Sequence, residues 1–179
     1  EVPTLTVLMN DTAAEVEART GVPQARWSEA RVQRLHDDFW QRFAGFAAWA
    51  DHIQAFVLEH GYVETYYGRR RYWPLITKEL VESIKKEATN HPVQGTAADI
   101  LNRAMVHVHR YLQETEFGRL VLTVHDELTA EVLCGSEQEV AREGLRLLKS
   151  VPEQDGFDVP FEVDVKVGHS WGALEKLDL

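Results

Sequence analysis

Apolar positions recur three or four residues apart through the first third of the chain. Val32, Leu35, Phe39 and Phe43 form one stripe, and Phe46, Trp49, Ile53 and Phe56 continue it. That spacing predicts an amphipathic helix opened by Trp27 and Ser28, with a bend at Gly45. The stripe is wide and aromatic and reads as a core-facing helix pair. Upstream, Thr12-Ala13-Ala14-Glu15 has the form of a capping box opening a short helix that ends at Gly21.

The period then changes. "YVETYYGRRRYW" predicts a β-hairpin, residues 62–66 and 70–73, turning at Tyr67-Gly68-Arg69 and closed by Pro74. A helix over 77–89 is expected to stop short of Pro92, because the residue before proline resists the α conformation. A second helix from Gln94 to about Glu116 would bury Ala97, Leu101, Ala104, Val108 and Tyr111, with Ile100 and Met105 beside them. In "RLVLTVHDELTAEV", Leu120, Leu122 and Val124 alternate with Val121 and Thr123, which predicts a strand buried on both faces. Leu128, Ala130 and Val132 predict its half-exposed partner. Ser136-Glu137-Gln138-Glu139 predicts a capped helix to Ser150, and "VPFEVDVKV" is the cleanest strand pattern in the chain. The fold class expected is α+β: a helical portion, then a small antiparallel sheet backed by helices.

Composition narrows the function classes. The 179 residues are 44% hydrophobic and 27% charged, ordinary for a soluble globular chain. No apolar run approaches the roughly 18 residues of a membrane helix, and no signal peptide opens the chain, so no membrane partner is expected. The single cysteine, Cys134, excludes an internal disulfide and points to a reducing cytoplasm. The first residue is Glu1, which predicts a chain cut or excerpted from a longer one. The net charge of −10 argues against nucleic acid until its layout is read. Residues 60–90 carry six basic residues against four acids, and residues 126–179 carry thirteen acids against five bases. A phosphate-binding strip can sit on an acidic protein when charges segregate in this way.

The candidate chemistry lies at the tip of the second hairpin, where His125, Asp126 and Glu127 interrupt an apolar alternation. One reading is a plain surface turn. The other is half of a magnesium site, since Mg2+ takes one or two carboxylates and completes its octahedron with water and substrate phosphates.

Four segments in order bear on that choice: "GYVETYYGRRRYWP", "NHPVQGTAADI", "VHDE" and "GHSWGAL". Together they resemble the late fingers and palm, the C-terminal part, of family A DNA polymerases of the bacterial DNA polymerase I type. The resemblance implies a fingers portion over 1–88, with the basic hairpin 62–73, and a palm portion over 89–179. It implies Asp126 and Glu127 as catalytic residues, with Asp126 a ligand of two Mg2+ ions completed by an aspartate outside this chain. It implies contacts to DNA from His125, Gln94, Asn90, Lys86, Arg69 and Arg70. An amide donor at Gln94 could test minor-groove geometry, because acceptors at purine N3 and pyrimidine O2 are common to all correct pairs.

Bland readings stand beside these. Gln94 could cap a helix, Asn90 could be a turn residue before Pro92, and Arg69, Arg70 and Arg71 could be a solvated hairpin face. Lys86 stands where the family usually has arginine, which removes a bidentate fork. Met9-Asn10 stands where the family shows Tyr-Gly. The family's earlier catalytic aspartate motif and its triphosphate-gripping fingers helix have no counterpart here. The function implied is template-directed DNA synthesis in replication and repair, from primer–template DNA and dNTP, with the remaining N-terminal polymerase segment as partner. A non-catalytic DNA-binding module and a metal-dependent hydrolase are the alternatives.

Overall fold

The computed structural model describes residues 29–179. The helix expected between Thr12 and Gly21 and the Met9-Asn10 pair lie outside the described residues. The chain divides into two compact units, Glu1–Tyr62 with Trp73–Thr89 and Val63–Tyr72 with Asn90–Leu179. No helix among the described residues is long and apolar enough to cross a membrane.

In the first unit, helix α1 (Glu29–Arg42) is followed by α2 (Ala44–His60). The break falls at Phe43 (φ −109°, ψ 49°) and not at Gly45, which lies inside α2. Aromatic packing across the break explains its place: Trp40 of α1 stacks on Phe46 of α2 at 5.6 Å, and Phe39 packs on Phe43 at 4.9 Å. Backbone bonds bridge the break, Phe43 N to Phe39 O and Ala47 N to Phe43 O, so a glycine is not needed. Gly61 closes α2 by donating its N–H to Val57 O. Ala50, Val57, Ile84 and Ala88 are the buried apolar residues among the described residues of this unit.

The basic hairpin is shorter than the sequence pattern suggests, with strands β1 (Tyr62–Glu64) and β2 (Arg70–Tyr72). Thr65 N donates to Arg69 O and Gly68 N to Thr65 O. Gly68, with φ 80°, takes the left-handed position after the Tyr66–Tyr67 turn. Beyond it runs a single helix α3 (Val81–Thr115), which passes through Pro92. The expected stop before Pro92 is therefore wrong. Proline removes one backbone donor but leaves the helix its other bonds. The Thr96 hydroxyl also donates to Pro92 O at 2.5 Å, and the hairpin docks on this same turn.

The buried stripe of α3 is Ile100, Ala104, Val108 and Leu112, four residues apart. It lies one position round from the expected stripe, since Ala97 is exposed and Leu101 and Tyr111 are half-buried. Ile100 and Ala104 meet Val151 of helix α4 (Glu137–Gln154), and Tyr67, Leu148, Phe157 and Phe161 pack around them. Ser136 stands at the start of α4, but its hydroxyl donates back to Leu133 O, so the expected side-chain cap is not formed.

Strands β3 (Gly118–Val124) and β4 (Glu127–Val132) form an antiparallel pair. The expectation that β3 is buried on both faces fails: Val121 and Leu122 are exposed. The clean alternation from Val159 to Val167 pairs only over β5 (Lys166–Val167) with β6 (Glu175–Lys176), after a 3-10 turn at Trp171–Ala173. Phe161, Val163 and Val165 keep the alternating burial of a strand, and among the described residues only Val165 of these is bonded across, its carbonyl accepting from Leu177 N at 2.9 Å. Helices and small antiparallel pairs make this an α+β fold, with three two-stranded ladders among the described residues in place of one sheet.

Leu112 is fully buried, so Leu112→Ala should lower unfolding free energy by about 2–5 kcal/mol in a urea titration. A loss below about 1 kcal/mol would place Leu112 outside the core.

Candidate functional site

Two polar constellations of opposite character lie in the second unit. The first is a half-buried hub between the basic hairpin and α3. Thr65 and Arg69 on the hairpin meet one carboxylate, Asp99, which is only 13% exposed. The Thr65 hydroxyl donates to Oδ2 at 2.7 Å and the Arg69 Nε donates to Oδ1 at 2.8 Å. Arg69 Nη2 donates to Gly95 O at 3.0 Å, and Tyr66 N donates to the Thr96 hydroxyl at 2.9 Å. His91, Gly95 and Asp99 are four residues apart on one helix face, the spacing a docked element requires. A Cβ at Gly95 would come within 2.6 Å of the Thr65 methyl, so glycine is required for the hairpin to approach this closely. Burial first, then the Arg69 and Arg71 cations, hold His91 below the usual imidazole value.

Asp155, just past α4, anchors the other side of the same hairpin. Tyr67 donates its phenol to Asp155 Oδ2 at 2.5 Å, Arg103 Nη2 donates to Oδ1 at 3.2 Å, and Tyr66 donates to the Asp155 carbonyl at 3.0 Å. The Arg103 guanidinium also lies 4.9 Å from the Tyr67 ring centre, a cation–π contact. Burial, then the hydrogen bond to Asp155, pushes the Tyr67 phenol up to about 12.

The second constellation is exposed. Val124 pairs with Glu127, so His125 and Asp126 alone form the loop between β3 and β4. His125 has φ 54°, a left-handed backbone that costs a non-glycine residue about 1–2 kcal/mol. The register shift between Leu120 and Leu122 leaves Val121 without a cross-strand partner. Cross-strand partners share a face, so Leu120 goes with Ala130 and Leu128, while Leu122 and Val124 go with Thr129 and Glu127. The shift therefore breaks the face expected from Leu120, Leu122 and Val124, and it fixes the side to which Glu127 points.

Asp126, Glu127 and His125 are exposed, as are Gln94, Asn90 and Lys86 of α3. Gln94 and Asn90 lie one turn apart on one face of α3. Among the described residues, none of these six makes a side-chain hydrogen bond or ion pair. Arg69 and Arg70 differ, because Arg69 holds Asp99 and Arg70 Nε donates to Glu64 Oε1 at 2.5 Å. Lys86 belongs to the first unit. Asn90 is not a turn residue, because α3 runs straight through it. Among the described residues, no group of three or more His, Cys, Asp or Glu is placed to hold a metal ion. Asp99, Gly95, Thr96, Thr65, Tyr67 and Asp155 were not among the candidates read from the sequence. The signal available was the spacing of Gly95 and Asp99 with the one-residue offset of Thr96, which marks a helix face.

This hairpin-on-helix arrangement, with an acid-tipped second hairpin, accompanies a clear relationship. The sequence pattern of DNA polymerase family A matches residues 17–173, and the chain belongs to that family. It is 40% identical over 144 residues to DNA polymerase I of Pseudomonas aeruginosa, covering 78% of this chain and 15% of that relative. It is 36% identical over 143 residues to the thermostable DNA polymerase I of Thermus aquaticus, covering 78% of this chain and 17% of that relative. The chain thus spans a minor part of the length of the curated relatives it matches. Among solved structures, the POL domain of Pol1 from M. smegmatis, in complex with DNA primer-template and dNTP, gives a TM-score of 0.65 at 25% identity. That match covers 81% of this chain and 25% of that chain.

Gly95→Ala should destabilise the chain by about 1–3 kcal/mol, because the new methyl overpacks against Thr65. Thr65→Ser removes the opposing methyl but keeps the hydroxyl, so the double variant should recover part of the loss. Denaturant unfolding of the three variants measures this, and a double variant no better than Gly95→Ala would place the clash elsewhere. The raised phenol value of Tyr67 sets an alkaline limit. The folded state favours neutral Tyr67, so its contribution is intact below pH 10 and is lost as pH rises towards 12. Unfolding midpoints at pH 9 and pH 12 should fall further for the wild type than for Tyr67→Phe. Equal losses would mean that Tyr67 titrates normally.

Proposed function

We propose that this chain supplies part of the active site and the primer–template contacts of a DNA polymerase, in template-directed synthesis from dNTP. The observation that carries the reading is the exposed, unpaired His125-Asp126-Glu127 tip, held on a two-residue hairpin loop within a family A chain. Both acids have their oxygens in solvent, uncompensated by any cation of this chain among the described residues. Hard oxygen donors of that kind suit Mg2+ and supply fewer ligands than a closed site would need. Asp126 would hold the ion, with the site completed by groups outside this chain. When bound, magnesium supplies charge neutralisation for the triphosphate and the attacking hydroxyl.

This chain's own residues position and align. The β3–β4 ladder fixes Asp126 at a strand end, and Glu127 supports it from the adjoining β4 position. His125 is placed to contact the sugar–phosphate backbone near the primer terminus. Gln94 and Asn90 present amides from one helix face, and amide donors suit the shared minor-groove acceptors of correct pairs. Lys86 and Arg70 add phosphate contacts, and Arg69 adds its remaining guanidinium nitrogen to its structural role. The structural neighbour binds primer-template and dNTP, which supports the same partners here. The relatives named DNA polymerase I support DNA synthesis, and a replication and repair role in the cytoplasm belongs to the same reading.

The decisive measurement is single-turnover primer extension by a polymerase assembled around this chain. Asp126→Ala should slow chemistry by about a hundredfold or more while the Kd for primer–template changes less than about threefold, because a metal ligand acts on the transition state. Retention of more than about a tenth of the rate, a barrier change below about 1.4 kcal/mol, would reduce the tip to a turn.

A further inference from the structure

We propose that Asp99 is a positioning residue for primer–template binding, setting the α3 turn that carries Gln94 against the basic hairpin. The proposal rests on the polymerase reading above and deepens it.

The geometry leads there by elimination. Asp99 is the most buried of the acids that meet an arginine in the second unit, and both its oxygens are occupied by the hairpin. Each of its oxygens already accepts from the hairpin, whereas Asp126 has no side-chain partner among the described residues, so Asp126 and not Asp99 is the candidate metal ligand. What it does is mechanical. The turn from Gln94 to Ala98 is gripped at Gly95 O by Arg69, at the Thr96 hydroxyl by Tyr66 N, and at its C-terminal edge by Asp99. Gln94 projects from that gripped turn into solvent. Arg69 is adjacent in sequence to Arg70 and Arg71, so the same carboxylate fixes the start of the strand that carries the basic residues.

Loss of the carboxylate therefore does two things at once. Asp99→Asn, with one acceptor oxygen in place of two, releases the Thr65 hydroxyl or the Arg69 Nε, and it loosens the hairpin relative to Gln94. A minor-groove amide contact depends on alignment to a few tenths of an ångström, so the consequence is a weaker and less selective junction complex. The Asp155 hub still holds Tyr66 and Tyr67, so the hairpin stays attached.

The test measures binding of the full chain to a labelled primer–template junction and to a blunt duplex of equal length. Variants are Asp99→Asn, Gln94→Ala and the double substitution, with thermal unfolding in parallel. The expected result is a roughly three- to tenfold weaker junction affinity for each single variant, the cost of about one hydrogen bond. The double variant should be no weaker than about the worse single, because both act through one contact. The preference for junction over blunt duplex should shrink in Asp99→Asn. Thr65→Ser, which keeps the hydroxyl donor, should bind within about twofold of wild type.

A folded Asp99→Asn with wild-type junction affinity and preference would overturn the proposal. So would full additivity with Gln94→Ala, or equal weakening on junction and blunt duplex, which would mark a merely structural role. If Asp99→Asn fails to fold, Arg69→Gln releases the same strut from the hairpin side and must reproduce the coupling to Gln94. A wild-type chain that binds no primer–template would overturn the reading that this chain supplies primer–template contacts, and this proposal with it.

Discussion

One carboxylate organises the second unit. Asp99 accepts a neutral donor from Thr65 and a cationic donor from Arg69 while mostly withdrawn from water. An isolated buried charge would be costly, and an exposed arginine pair would contribute little. Here the carboxylate has a donor at each oxygen, and the guanidinium has a second acceptor in Gly95 O. Satisfied on both sides, the pair holds a three-residue-strand hairpin that has too little ladder to be stable alone. The glycine beneath it completes the arrangement, since the hairpin approaches closer than any Cβ would allow.

The chain divides its polar residues into two populations with different physics. Those around Asp99 and Asp155 are paired and partly buried, and they define where backbone elements sit. Those at His125, Asp126, Glu127, Gln94, Asn90 and Lys86 are exposed, and among the described residues they have no side-chain partner. The φ of 54° at His125 is what the first position of a two-residue hairpin loop requires, so the turn itself accounts for it. The apolar ladder beneath holds the tip in place, and the register shift at Val121 decides which face carries Glu127. Exposed strand residues Val121 and Leu122 lie on the same element as the acids. Rigid support and available oxygens are what a ligand-binding tip requires.

Much of this was legible in the residue order. The hairpin at Gly68, the acid-tipped turn at His125-Asp126 and the α+β class followed from turn chemistry and a change of period. The family followed from four motifs in sequence. Three of the misread features are places where a residue's usual preference yields to a competing contact. Pro92 does not end α3, because the hairpin grips the surrounding turn. Gly45 does not bend the helices, because ring stacking places the break at Phe43. Ser136 does not cap α4, because its hydroxyl finds Leu133 O first.

The sequence by itself determined most of the elements and their order, the family and the residue types available for chemistry, because periodicity, turn residues and motif spacing are local properties. Tertiary structure decided which of those residues are struts and which are free. Arg69 and Asp126 look equally functional as letters. Only the approach of the hairpin to α3, made possible by the missing side chain at Gly95, commits Arg69 to Asp99. Asp126 is left in water, because a two-residue loop beyond a paired ladder gives it no side-chain partner among the described residues.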